Sequence, residues 1–184
     1  MRDYYDARAD EYDDWWRGTG LFADRDRPGW AGEVISSDQS ERMLAVARGR
    51  VPGGRFVRAD AFALPFSDAA LDRVFSGHFY GHLAPAERAA FLGEARRLAP
   101  ELVIVDSALR PGVAAEAIQE RTLNDGSRWE VLKRFFTADG LLAELREAGC
   151  GSGSPGAVGG GGAGVTGATV FAGTRFVAVR VPLR

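Results

Sequence analysis

Hydrophobic and polar positions along this 184-residue chain follow two spacings. Apolar residues three or four apart predict helices, and short apolar runs that end at polar residues predict buried strands. Strands are predicted at 33–36, 55–59, about 72–76 and 102–105, with a closing two-strand hairpin at 169–181. Helices are predicted within 3–16, at 41–49 behind a capping Ser40, within 83–99, and at 113–122 and 137–148.

Strands that alternate with helices predict an α/β fold with a mostly parallel sheet and helices on both faces. Such folds bind ligands at the carboxyl ends of their strands. Polar residues stand at four predicted strand ends: Asp38, Asp60, Asp106 and the segment 76–78. We therefore expect a ligand site at this edge, although Asp and Ser also terminate strands for purely structural reasons.

Composition narrows the classes of protein that fit. Hydrophobic residues make up 46% of the chain, which suits one domain over residues 1–184, and the net charge of −2 with no basic stripe argues against a nucleic-acid partner. Cys150 is the only cysteine, so no internal disulfide is possible, and a reducing cytoplasm fits. Lys133 is the only lysine. No apolar run is long enough to span a membrane, and the start is acidic and aromatic rather than signal-like.

One ordered set of motifs is specific. An acid-x-Ser-x-x-Met-Leu pattern is followed about 20 residues later by Asp-Ala, then Leu-Pro-Phe, then an Asp that opens a strand. The residues are Asp38, Ser40, Met43, Leu44, Asp60, Ala61, Leu64, Pro65, Phe66 and Asp72. In this the chain resembles the class I S-adenosylmethionine-dependent methyltransferases of the small-molecule (type 11) kind. The resemblance implies a Rossmann-like fold with strand order 3-2-1-4-5-7-6, S-adenosylmethionine as cofactor and a small-molecule methyl acceptor.

The resemblance also implies roles for individual residues. Asp38, with Gln39 beside it, would bind the ribose hydroxyls, because a carboxylate only accepts hydrogen bonds and can take two donors. Asp60 would accept from the adenine amino group, and the Ala61 N–H would donate to a ring nitrogen. The remaining predicted cofactor residues are Ser76 at the methionine end and Tyr5 and Tyr12 on a lid helix within residues 1–31.

His78, Tyr80 and His82 would face the substrate, with His78 and Tyr80 as the candidate catalytic residues. The two histidines are four residues apart, a spacing that on a helix can share a metal. Gly81 weakens a helix here, and no third ligand is evident, so we expect no metal. A general base, poised near neutral pH, and a plain wall or core histidine stay open.

The family's glycine-rich turn, which belongs about 20 residues before Asp38, is the feature that is hard to place. The stretch 17–22, RGTGLF, has the right distance but no apolar strand before it, and Pro28-Gly29 would break the helix after it. The stretch 151–164 lies in a glycine-rich segment, 149–168, that is better interpreted as a flexible loop. The sequence therefore predicts that the usual first, central strand is absent.

Two other functions stay open. Without the glycine turn, the chain would be a catalytically impaired or non-enzymatic domain that has lost cofactor binding. A different Rossmann-like nucleotide binder, such as a reductase, is the third candidate, but the Asp60-Ala61 and Leu-Pro-Phe motifs argue against it. The oligomeric state stays open.

Overall fold

A computed structural model describes residues 2–8, 33–151 and 167–183. The helices are α1 (Arg2–Arg8), α2 (Glu41–Arg50), α3 (Pro85–Leu98) and α4 (Ala138–Glu147), with a 3-10 helix at Tyr80–His82. The strands are β1 (Ile35–Asp38), β2 (Arg55–Arg58), β3 (Val74–Gly77), β4 (Glu101–Ser107), β5 (Glu116–Thr122), β6 (Arg128–Arg134), β7 (Thr169–Ala172) and β8 (Phe176–Pro182). Tyr12, the 17–22 stretch and most of the glycine-rich segment lie outside the described residues.

The chain divides into two compact units, which are described separately. The first comprises Met1–Leu64 and Glu120–Glu130, and the second comprises Pro65–Gln119 and Val131–Arg184. The mixed α/β class predicted from the alternating pattern is confirmed. Within the described ranges, no helix has the length and apolar character needed to cross a membrane.

In the first unit, β1 and β2 pair in parallel, with Asp38 opposite Arg58. Helix α2 begins after Ser40, whose Oγ accepts a hydrogen bond from the Met43 N–H at 3.1 Å. Leu44 is the buried residue of this helix. The predicted helix and its cap are confirmed, and β1 begins two residues later than the pattern suggested.

The second unit is built on a four-stranded sheet with the order β3-β4-β8-β7. β3 and β4 are parallel, and β8 is antiparallel to both β4 and β7, which confirms the closing hairpin. Leu102 and Ile104 of β4 and Val179 of β8 are fully buried. Helix α4 packs against β8 through its buried apolar side, so the apolar side chains of the helix and of the strand form one core.

The prediction of a helix at 113–122 is wrong, because Glu116–Thr122 is strand β5, which forms a hairpin with β6. At the turn, the Leu123 N–H donates to the Ser127 carbonyl and the Gly126 N–H donates to the Leu123 carbonyl, both at 2.9 Å. Gly126 has a φ of +82°, which glycine adopts without strain. An Asp-Gly turn between segments of alternating burial is the physical reason for the hairpin, and the alanine-rich composition at 113–117 concealed it.

Candidate functional site

The first unit brings two predicted cofactor residues to one edge of its sheet. Asp38 is the last residue of β1, and Asp60 follows β2 by two residues. Because the two strands are parallel, their carboxyl ends lie at the same edge. Asp38 is half-buried, whereas Asp60 is exposed. The strand register thus places two carboxylates at adjacent strand ends, as expected for acids that follow two predicted strands of a parallel sheet.

The Asp38 carboxylate is held in a defined orientation by the start of α2. Its Oδ1 accepts the Ser40 N–H at 2.7 Å. The Ser40 Oγ in turn donates to Asp6 on α1, so a second carboxylate lies close by. Burial and the charge of Asp6 raise the pKa of Asp38, and hydrogen bonds from the Ser40 and Gln39 backbone partly offset that rise. The group remains an oriented acceptor at the strand end.

Asp60 and Ala61 lie in a tight turn after β2. Asp60 Oδ1 accepts the Phe62 N–H at 2.9 Å, and the Asp60 carbonyl accepts the Ala63 N–H at 3.1 Å. Ala61 is half-buried between these contacts. The turn fixes the Asp60 side chain while leaving it open to solvent, so it can accept a hydrogen bond from a ligand.

The described part of the predicted lid, α1, contributes aromatic side chains to the first unit. Tyr5 is half-buried and its ring lies 5.0 Å from that of Tyr4, measured between centroids. Tyr4 is buried and packs edge-on against Trp129 of β6, with 6.1 Å between the ring centroids. Together with the Ser40–Asp6 hydrogen bond, these contacts hold α1 against the rest of the first unit.

In the second unit, Ser76 is the penultimate residue of β3 and is only 6% exposed. Its Oγ has no hydrogen-bond partner among the residues that the structure describes. A buried hydroxyl without a partner is costly, and such groups commonly point to a ligand or water. Ser76 therefore offers a free donor and acceptor at the carboxyl end of β3.

His78 follows β3 directly. Its N–H donates to the Val105 carbonyl at 2.7 Å, and its φ is +54°, a conformation that side chains other than glycine rarely adopt. The residue is exposed, yet partial desolvation of the imidazole lowers its pKa. Asp106 acts to raise this pKa and Lys133 acts to lower it.

Tyr80, the other candidate catalytic residue, is 1% exposed. Its hydroxyl donates to Glu144 Oε1 at 2.8 Å, and burial together with Glu144 raises the pKa of Tyr80. Arg134 Nη2 lies 2.9 Å from Glu144 Oε2, and Arg88 Nε lies 3.1 Å from Oε1. Tyr80 is thus part of a polar network that joins the 3-10 helix to α3, α4 and β6.

His82 and His78 do not belong to a common group of potential metal ligands in the described residues. Its Nδ1 lies 2.7 Å from the Leu132 carbonyl. Within the described ranges, no group of three or more potential metal ligands of the His, Cys, Asp or Glu type occurs. The expectation that there is no metal site stays a prediction.

One polar pair was missed in the sequence. Asp106 is fully buried, and its Oδ1 lies 3.0 Å from Nζ of Lys133, whose side chain is 7% exposed. Asp106 stood out as a strand end, but its partner lies 27 residues later in the chain. The signal was available: Lys133 is the only lysine in a chain that otherwise uses arginine.

Comparison with known proteins gives one matching family model, described as a methyltransferase domain, over residues 16–101. The match begins before the 17–22 stretch, which is outside the described residues. A demethylmenaquinone methyltransferase from Thermus thermophilus is 41% identical over 81 residues, which are 40% of this chain and 36% of that protein. The chain thus matches about a third of the length of this curated relative.

Solved structures with a similar fold cover more of the chain. A structure described as a DhpI–SAM–HEP complex has a TM-score of 0.67 at 22% identity and covers 97% of this chain and 94% of that one. A SAM-dependent methyltransferase from Methanosarcina mazei has a TM-score of 0.58 at 16% identity, with 82% of each chain covered. A 1,6-didemethyltoxoflavin-N1-methyltransferase from Burkholderia thailandensis has a TM-score of 0.53 at 18% identity, covering 82% of this chain and 60% of that one. These likenesses establish the Rossmann-like fold.

Proposed function

We propose that this chain, a member of the class I S-adenosylmethionine-dependent methyltransferases, transfers the methyl group of that cofactor to a small-molecule acceptor. The observation that carries the proposal is the pair of carboxylates at adjacent parallel strand ends, Asp38 and Asp60. The names of two similar proteins, which refer to demethylmenaquinone and didemethyltoxoflavin, support an acceptor of small-molecule size.

The described residues fit the cofactor chemically. A half-buried, oriented carboxylate suits a ribose diol, which presents two donors, and an exposed one suits the adenine amino group. Ser76 supplies a buried hydroxyl that lacks a partner among the described residues, as expected of a group that awaits a polar ligand. When bound, S-adenosylmethionine supplies an electrophilic methyl group on a positively charged sulfur.

The chain's own residues would bind the cofactor and orient it. Asp38 and Gln39 would hold the ribose, Asp60 and the Ala61 N–H would hold the adenine, and Ser76 would contact the methionine end. Tyr5 would contact the ribose side from α1. Catalysis of this kind depends mainly on positioning of the reactants, so a dedicated acid–base pair is not required.

On the acceptor side, His78 is the proposed general base. The lowered pKa keeps its imidazole neutral, and so able to take up a proton, at physiological pH. Tyr80 is better suited to positioning than to proton transfer, because its buried hydroxyl already donates to Glu144 and its raised pKa keeps the proton in place.

Isothermal titration with S-adenosylmethionine tests the proposal. We expect micromolar binding, weakened about tenfold to a hundredfold in Asp38→Ala and in Asp60→Ala, because hydrogen bonds to a charged group contribute about 1.5–3 kcal/mol. Asp72→Ala is the matched control, since Asp72 is exposed and precedes the opposite end of β3. We expect it to bind like the unchanged chain.

The competing functions give different titrations. No binding at millimolar S-adenosylmethionine by a folded chain would overturn the proposal in favour of a non-enzymatic domain. Binding of NADH in its place would favour a reductase-like nucleotide binder. If Asp38→Ala and Asp60→Ala bind S-adenosylmethionine as strongly as the unchanged chain does, these two residues are not cofactor-binding residues.

A further inference from the structure

We propose that the buried pair Asp106–Lys133 positions His78 as the base that removes a proton from the methyl acceptor, so that the acceptor is a small molecule with an ionisable O–H or N–H group. This inference rests on the proposed methyl transfer and assigns the residues that control its acceptor side. Asp106 and Lys133 act through His78 and are positioning residues.

The geometry of the pair is the first argument. Asp106 accepts three hydrogen bonds: Oδ1 from Lys133 Nζ at 3.0 Å and from the Ser107 N–H at 2.7 Å, and Oδ2 from the Gly81 N–H at 2.7 Å. A buried carboxylate with these partners is a fixed element of the fold, because each lost partner would leave part of the charge unsatisfied. One residue of β4 thus anchors a lysine of β6 and the turn after β3.

The turn itself is built around this carboxylate. A Cβ on Gly81 would lie 2.9 Å from Asp106 Oδ1 and 3.0 Å from the Arg134 carbonyl, so glycine is needed for the close approach. At the start of the turn, the His78 N–H is bound to the carbonyl of Val105, the neighbour of Asp106. The segment 78–82 is therefore tied to β4 at both of these points.

This attachment explains the unusual backbone of His78. A φ of +54° is unfavourable for a residue with a side chain, and such conformations persist only where surrounding contacts enforce them. They concentrate at functional sites. Here the enforcing contacts are the Val105 carbonyl and the Asp106–Gly81 bond, and the result is an exposed imidazole at the carboxyl end of β3.

The choice of lysine is the second argument. Lysine and arginine together number 23, and Lys133 is the one lysine. A guanidinium carries five donors in a rigid fork, which a buried site with one carboxylate cannot satisfy, whereas the ammonium is compact. The pair also places opposite charges near His78, Asp106 from β4 and Lys133 from β6, whose effects on the imidazole have opposite signs.

The proton transfer balances without a further reactant. The acceptor oxygen or nitrogen would use an electron pair to form the bond to the methyl carbon, while the bond from that carbon to the cofactor's sulfur would break and return its electron pair to the sulfur. The acceptor's proton would pass to the unprotonated nitrogen of the neutral His78 ring. The proton then leaves to solvent, because His78 is exposed. An acceptor without an ionisable proton would not need this base.

Histidine NMR tests the pair without cofactor. The chain has two histidines, so the ring C–H signals of His78 can be assigned with His78→Asn, and His82 serves as an internal reference. We expect Lys133→Met to raise the pKa of His78 and Asp106→Asn to lower it, because the two charges act in opposite directions. Asp72→Asn, an exposed acid at the other end of β3, is the control and should leave the titration unchanged.

Folding is followed by circular dichroism, and Asp106→Asn, which keeps the size of the side chain and removes its charge, decides the test if Lys133→Met does not fold. We expect a lowered His78 pKa in that variant, and an unchanged or raised one would overturn the proposal. A His78 titration that is identical in Lys133→Met, Asp106→Asn and the unchanged chain would overturn the proposal, as would shifts of the same sign.

Turnover separates this inference from the proposed function. His78→Asn retains a residue that tolerates positive φ, and we expect it to bind S-adenosylmethionine normally while kcat falls about a hundredfold at neutral pH. The pH profiles of Lys133→Met and Asp106→Asn should move in the directions of their NMR titrations. Normal cofactor binding with an unchanged kcat in His78→Asn would overturn the assignment of the base and leave the proposed function intact.

Discussion

Tyr80→Phe is the change that best separates a structural from a catalytic role at the proposed active site. It removes the hydroxyl that donates to Glu144 at 2.8 Å and keeps the ring, which packs at 6.1 Å from both Phe91 and Phe136. A hydrogen bond to a charged group contributes about 1.5–3 kcal/mol. Glu144 keeps two arginine partners, so we expect the low end of this range, about 1.5 kcal/mol of unfolding free energy.

The assay pairs stability with turnover. For a chain of this size, about 1.5 kcal/mol corresponds to a fall in Tm of about 3–6 °C. Urea unfolding of Tyr80→Phe, Glu144→Gln and the double variant gives the coupling between the two side chains, which we expect to be at least about 0.5 kcal/mol. Turnover of Tyr80→Phe, measured well below its Tm, should stay within about threefold of the unchanged chain.

A single pattern would refute this reasoning. If Tyr80→Phe unfolds at the same Tm as the unchanged chain but loses a hundredfold or more in kcat, the hydroxyl takes part in the chemistry and its bond to Glu144 is incidental. Additive effects in the double variant would contradict the coupling on which the magnitude rests.

Two further predictions concern the core and acid pH. Leu145→Ala should cost about 2–5 kcal/mol of unfolding free energy in urea, since Leu145 is fully buried, and Leu109→Ala, which is half-buried, should cost clearly less; equal losses would contradict the assigned core. Burial acts to raise the pKa of Glu144, but hydrogen bonds from Arg134 and Tyr80 outweigh it and hold that pKa below its ordinary 4.5. This stabilisation is present above pH 4.5 and is lost as pH falls through the lowered pKa, so urea unfolding between pH 7 and pH 3 should show a smaller acid loss in Glu144→Gln; parallel pH curves would contradict it.

Elements with strong local signals were predictable from the sequence. Pro85 at the first helical position and the apolar period behind it predicted α3, and the run from Leu102 to Val105 predicted β4. The helix prediction for 113–122 failed because alanine and glutamate favour helices locally, whereas pairing with β6 makes this segment a strand. Intrinsic propensity is a weak guide where a turn brings a partner strand alongside.

The site was predictable only where its residues are close in the chain. Asp38 and Asp60 follow from a motif and from strand order, and their positions at the ends of parallel strands agree with it. The contacts Tyr80–Glu144 and Asp106–Lys133 join residues 64 and 27 positions apart, and no local pattern specifies them. The backbone strain at His78 was equally hidden, because it arises from contacts with Val105 and Asp106 of β4, which are also distant in the chain.

The order β3-β4-β8-β7 has a consequence for synthesis on the ribosome. β4 lies in the sheet interior, but its partner β8 comes about 70 residues later in the chain. At about 5–20 residues per second, β4 spends several seconds outside the ribosome with one edge unpaired. During that interval the Leu102–Val105 run is exposed as an unpaired strand edge, so slower translation between β4 and β8 lengthens the time in which this edge can pair with another chain.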